Sequence, residues 1–167
     1  MTNSIQIAVR METDAIKFYT EAANKTLNPV GKKMFLTITE DEKRHLDILN
    51  KILIGLDIHM SDISPMQNIK TVFESMKNEM MQRVTATSDE MEAFKIAIQM
   101  EKEGIEFYKK LLSETNNDKE KELFNKLIFE EQQHHDIFAN TYSYLSDTGN
   151  WFMWQEHSIV DGGTPFA

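Results

Sequence analysis

Two stretches 89 residues apart carry the same pattern of chemistry. Glu131 and His134 stand three apart, and so do Glu42 and His45. On an α-helix that spacing puts carboxylate and imidazole on one face. The same shift maps Met11-Glu12 onto Met100-Glu101, and Ile16, Phe18 and Tyr19 onto Ile105, Phe107 and Tyr108. The chain is therefore one unit written twice: a helix with a lone Glu, then a helix with a Glu and a His three apart. An internal repeat of this kind constrains architecture more than any local propensity.

Each copy reads as a helical hairpin. The first helix is expected over about 3–25, with a seam of Ile5, Val9, Glu12, Ile16, Tyr19 and Ala23. Spacings alternating four and three mark a helix packed in a bundle. Asn28 and Pro29 read as N-cap and first residue of a second helix over about 29–54, stopping near Gly55. Its seam is Phe35, Ile38, Glu42, His45, Leu49 and Ile52. Thr87 and Glu90 form a capping-box pattern that opens the third helix, over about 88–113. Its seam is Phe94, Ile98, Glu101, Ile105, Tyr108 and Leu112. Asn117 is placed to cap a fourth helix reaching about 146, with seam Phe124, Leu127, Glu131, His134, Phe138 and Leu145.

The fold class is thus all-α: a four-helix bundle of two repeated hairpins joined by a long crossover, 56–87. Ile69, Val72, Phe73, Met76 and Met80 give the crossover a short amphipathic helix, its methionines read as apolar filler. Residues 1–146 form one domain. Residues 147–167 form an extension whose Trp151-Phe152-Met153-Trp154 is expected to pack on the bundle or on a second subunit, rather than to act as a lid.

Composition removes several classes. The chain has no Cys, hence no disulfide framework, no thiol nucleophile and no Cys-based zinc or iron–sulfur site. Six Gly and three Pro in 167 residues suit long helices. A formal charge of -9 without a basic stretch argues against nucleic acid or an anionic membrane as partner. No apolar run approaches the roughly 20 residues of a membrane span, and the N-terminus lacks signal-peptide character. The expectation is a cytoplasmic protein.

Every long helix carries an ionisable group inside its apolar seam. Burying unpaired carboxylates costs several kcal/mol each, and these seams hold no Lys or Arg to offset them. Two divalent cations would. Glu12 and Glu101 are then terminal ligands, Glu42 and Glu131 bridges, and His45 and His134 one ligand for each metal. Oxygen and imidazole donors suit iron or manganese; zinc can also occupy such a set. Tyr19 and Tyr108 lie seven residues after Glu12 and Glu101. Two readings stay open for them: hydrogen bonds to the ligands opposite, or core tyrosines satisfied elsewhere. Asp41 and Glu130, four residues before the histidines, are placed to orient imidazoles, but the reading preferred for them is solvated charges. His59, His135 and His157 have no counterpart in the repeat and are read as surface or packing histidines.

A lone Glu on two helices and a Glu-His pair on the other two is the donor set of di-iron and di-manganese carboxylate bundles. Over about 5–146 the chain resembles the rubrerythrin-like family of the ferritin-like superfamily. The resemblance implies two iron ions and a peroxidase of oxidative-stress defence that reduces hydrogen peroxide, or dioxygen. It also implies electrons from a separate donor protein, since no Cys is present for a built-in rubredoxin domain, and a homodimer. It departs at Gly104, where the family usually has a further Glu; Ala15 is the repeat partner. The remaining six-residue set equally resembles ferroxidase centres, so a ferrous-iron-oxidising storage protein is the alternative. A third reading is a module whose metals only hold the bundle together.

Overall fold

A computed structural model of the chain describes residues 2–55 and 86–146. The described residues are helical, with no strand among them. Four helices follow in order: α1 (Thr2–Lys25), α2 (Pro29–Leu53), α3 (Ser88–Glu114) and α4 (Asp118–Ser146). The helix expected in the crossover, the aromatic extension, His59 and His157 lie outside the described residues.

The helix boundaries follow from their caps. Asn28 Oδ1 accepts from the backbone N–H groups of Val30 and Gly31 at 3.0 and 3.1 Å, and Pro29 starts α2. A Cβ at Gly31 would lie 3.1 Å from Thr26 Cγ2 and 3.2 Å from the Phe94 ring, so a side chain there needs these neighbours to shift. Gly55, at φ 74°, follows the end of α2 in the left-handed conformation that glycine tolerates best. Thr87 and Glu90 make the reciprocal capping box at the start of α3. Asn117 Oδ1 accepts from Lys119 and Glu120 N–H at the start of α4.

α1 packs chiefly on α2, and α3 on α4; the two hairpins meet along α1–α3 and α2–α4. This is the ferritin-like bundle expected from the repeat. Glu90, in the first turn of α3, accepts from Leu27 and Asn28 at the α1–α2 joint. So α3 begins at the end of the bundle where α2 also begins.

The buried apolar residues form two clusters, one towards each end. One gathers Tyr19, Phe35, Phe94 and Phe138; the other gathers Ile5, Leu49, Tyr108, Phe124 and Leu127. Between them lie Glu12, Glu42, His45, Glu101, Glu131 and His134, each buried. One detail of the expected seams is corrected. Val9, Ile16, Ile98 and Leu112 are half-buried, while Ala8, Ala15, Ala22 and Ala97 point inward. The inward faces of α1 and α3 are rotated toward small residues, which let the two hairpins approach. Large side chains dominate a seam read from sequence and hide this. No described helix is long and apolar enough to cross a membrane.

Candidate metal centre

Helical periodicity places six donors at one level. Glu12 comes from α1 and Glu101 from α3, its neighbour in the bundle. α2 and α4 each send in a Glu and a His one turn apart. The donors fall into two groups whose ligand atoms lie within 4.8 Å of one another: Glu12, Glu42, His45 and Glu131; and Glu42, Glu101, Glu131 and His134. Glu42 and Glu131 belong to both.

The atomic detail agrees with that division. Glu42 Oε2 lies 2.9 Å from His45 Nδ1, and Glu42 Oε1 lies 2.9 Å from His134 Nδ1. One carboxylate thus faces two imidazoles, each with a different oxygen. Glu131 Oε1 lies 3.0 Å from His45 Nδ1. Yet both Glu42 oxygens, both Nδ1 atoms, Glu101 Oε2 and Glu131 Oε1 have no hydrogen-bond partner among the described residues. Buried polar atoms are nearly always paired. Unpaired ones converging on two points fit a pair of metal ions, and four carboxylates balance the charge of two divalent ions.

The outer atoms of the same side chains are held across the hairpins. Tyr19 Oη donates to Glu101 Oε1 at 2.5 Å, and Tyr108 Oη donates to Glu12 Oε1. His45 Nε2 lies 2.9 Å from Glu130 Oε2, and His134 Nε2 lies 3.3 Å from Asp41 Oδ2. A carboxylate can only accept, so Nε2 carries the proton and Nδ1 faces the centre. Donors on the α1–α2 hairpin are therefore oriented by residues of the α3–α4 hairpin, and the reverse. Neither hairpin assembles its half alone.

This corrects the reading of Asp41 and Glu130 as solvated charges. Glu130 is 2% exposed and Asp41 half-buried, and both bond histidines of the opposite helix. They precede the histidines by four residues, which puts them on the same face and turns them into the α2–α4 contact. Arg44, not anticipated as part of the site, joins them: its guanidinium bonds Asp41 and lies 3.3 Å from Glu130. The signal available was its place three residues after Asp41, one helical turn away. His135 is partly exposed and contacts Asp136, in keeping with a surface histidine.

Burial and crowding set the protonation of the metal-free cluster. Burial, reinforced by Glu42, raises the Glu12 carboxyl well above its usual range; burial, then Glu42, Glu12 and Glu101, does the same to Glu131. Burial opposes ionisation of Glu42 too, but His134 and His45 outweigh it and hold that carboxyl far below. Burial disfavours charge on His45 and His134, and Glu42 overrides it, so both rings hold their protons to unusually high pH. Burial and Glu101 raise Tyr19, and burial and Glu12 raise Tyr108, so both hydroxyls remain donors.

A cavity of about 150 Å³ opens between α1 and α3 onto the four carboxylates. Met11, Asp14, Ala15, Met100, Glu103 and Gly104 line its outer part. At Gly104 an added Cβ would lie 3.4 Å from Glu131 Oε2. Ala15 and Gly104, related by the repeat, thus leave the way to the centre open.

The family model described as Rubrerythrin matches residues 3–142. Searches of curated proteins and of solved structures returned no match. The family match spans all four helices and every donor of the centre. The chain belongs to the rubrerythrin family, a ferritin-like di-iron family.

Proposed function

We propose that the chain is a non-haem di-iron oxidoreductase that reduces hydrogen peroxide, with electrons returned by a separate donor protein. The observation that carries this is the convergence of unpaired Glu and His atoms in two groups that share Glu42 and Glu131. Glu12 and His45 would hold one iron and Glu101 and His134 the other, with Glu42 and Glu131 between them. Two ferrous ions bound there supply the two electrons that cleavage of an O–O bond takes. The protein's own part is placement and exclusion. Tyr19 and Tyr108 fix the terminal carboxylates, Glu130 and Asp41 fix the imidazole tautomers, and the apolar clusters on either side keep bulk water out. The cavity at Ala15 and Gly104 admits a molecule of peroxide's size.

The acidic rim of that cavity, Asp14 and Glu103, favours a second reading in which ferrous iron itself passes in and is oxidised for storage. One experiment separates them. The chain is loaded anaerobically with two ferrous ions and mixed rapidly with hydrogen peroxide or with dioxygen, and the near-ultraviolet absorption of the ferric product is followed. Oxidation much faster with peroxide, with both ions retained, supports the peroxidase. Faster reaction with dioxygen followed by uptake of further ferrous iron supports iron handling. No change with either oxidant, although two ions are bound, leaves a centre that only holds the bundle together and overturns both.

A further inference from the structure

We infer that the two halves of the centre are unequal, and that Arg44 makes them so: the half built on Glu12 and His45 takes a divalent ion more tightly than the half built on Glu101 and His134. This rests on reading the six residues as a two-metal centre. Those six obey the internal repeat residue for residue. The groups behind the histidines do not. The repeat pairs Asp41 with Glu130 and Arg44 with Gln133, so one half has a guanidinium where the other has a neutral amide.

The structure shows where that guanidinium goes. It sits against Asp41 Oδ1 and stands off from Glu130 Oε2 at 3.3 Å. The carboxylate behind His134 is therefore tied into a close ion pair, and its bond to Nε2 is long, 3.3 Å. The carboxylate behind His45 meets the guanidinium on the same oxygen, Oε2, but at the longer distance, so it keeps more of its charge for the imidazole, and its bond is short, 2.9 Å. A carboxylate bonded to the outer N–H makes the inner nitrogen a stronger metal donor, and losing such a partner typically costs about ten- to a hundredfold in affinity. Bond length and free charge both favour His45. Gln133 adds nothing to offset this: its Oε1 is buried with no hydrogen-bond partner among the described residues. The terminal carboxylates do not separate the halves, because each accepts one tyrosine hydroxyl. Arg44 is thus a positioning residue, acting on the metal through Asp41.

The test uses Co²⁺ alone, with its visible absorption and calorimetry as readouts. Wild-type chain should bind it in two steps at least about tenfold apart. Glu101→Ala, which leaves the Glu12 half, should bind one ion about tenfold more tightly than Glu12→Ala, which leaves the Glu101 half. Adding Arg44→Gln should raise affinity more in the Glu12→Ala chain, bringing the two within about threefold, while Arg44→Lys should keep the gap. Equal affinities in the two single variants, one unresolved step in wild type, or a gap that Arg44→Gln leaves intact would each overturn the inequality without touching the two-metal reading. Wild-type chain that takes up no Co²⁺ would overturn the two-metal reading and the inequality with it.

Discussion

Gly104 shows how one missing side chain shapes the centre. It lies inside α3, where glycine is about 0.5–1 kcal/mol less favourable than alanine. A Cβ there would meet Glu131 Oε2 at ordinary contact distance, so the methyl fits. Gly104→Ala should therefore stabilise the metal-free chain by about 0.5–1 kcal/mol in urea denaturation. The same methyl narrows the cavity, so oxidation of the ferrous-loaded chain by peroxide should slow. Stability gained with the rate unchanged would show that this cavity is not the oxidant's route. At this scale the sequence was legible wherever a residue's role follows from its own helix. The six donors and both tyrosines fall at seam positions, and the structure brings them together. Asp41 and Glu130 were misread because their partners are on the opposite hairpin, and helical spacing says nothing about what stands across a contact.

Caps made the helices legible as elements. Asn28, Thr87 and Asn117 occupy the expected cap positions, and the ends of α2 and α3 lie within a residue of the expected ones. Glu90 does more than the capping box implied. Its Oε2 accepts from Thr87 N–H at 2.6 Å, while Oε1 accepts from Leu27 and Asn28 N–H at 2.5 and 2.9 Å. One carboxylate thus ties the start of α3 to the α1–α2 joint. Burial opposes its charge, but the backbone donors of Asn28, Thr87 and Leu27 outweigh it and lower its pKa. A lowered carboxylate stabilises the fold fully above its unfolded value, about 4.5, and that contribution is lost as pH falls through the folded value. Glu90→Gln removes one acceptor oxygen and sets an amide N–H₂ against a backbone donor. It should cost about 1–3 kcal/mol at neutral pH. The gap from wild type should narrow as pH falls below about 4.5, read by urea denaturation across pH. A gap constant down to acid would show that the charge of Glu90 contributes nothing.

The four described helices enclose a polar layer between two apolar clusters, and the repeat foretold that layering because both copies place their donors at the same depth. What the repeat hid was its own breakage, at Arg44 and Gln133 and in the small residues of the α1–α3 contact. The layer has a consequence for the intact chain. Without metal, its charge is balanced by protons: His45 and His134 hold theirs to high pH because Glu42 outweighs burial, and burial favours the neutral forms of Glu12 and Glu131. A metal ion must displace them, since Nδ1 cannot bind a proton and a metal together. Uptake at pH 7 should therefore release at least about one proton per ion, measured by calorimetry in buffers of different ionisation enthalpy. Affinity should fall as pH is lowered, because protons compete for the same atoms, and rise as pH is raised. Because the ions bind only the folded layer, metal at about a thousand times its dissociation constant should add about 4 kcal/mol of stability. That increment should shrink with acid in step with the affinity. Metal uptake without proton release, or with an affinity flat between pH 6 and 8, would mean that the ions sit outside this layer and that the buried cluster keeps its protons when they bind.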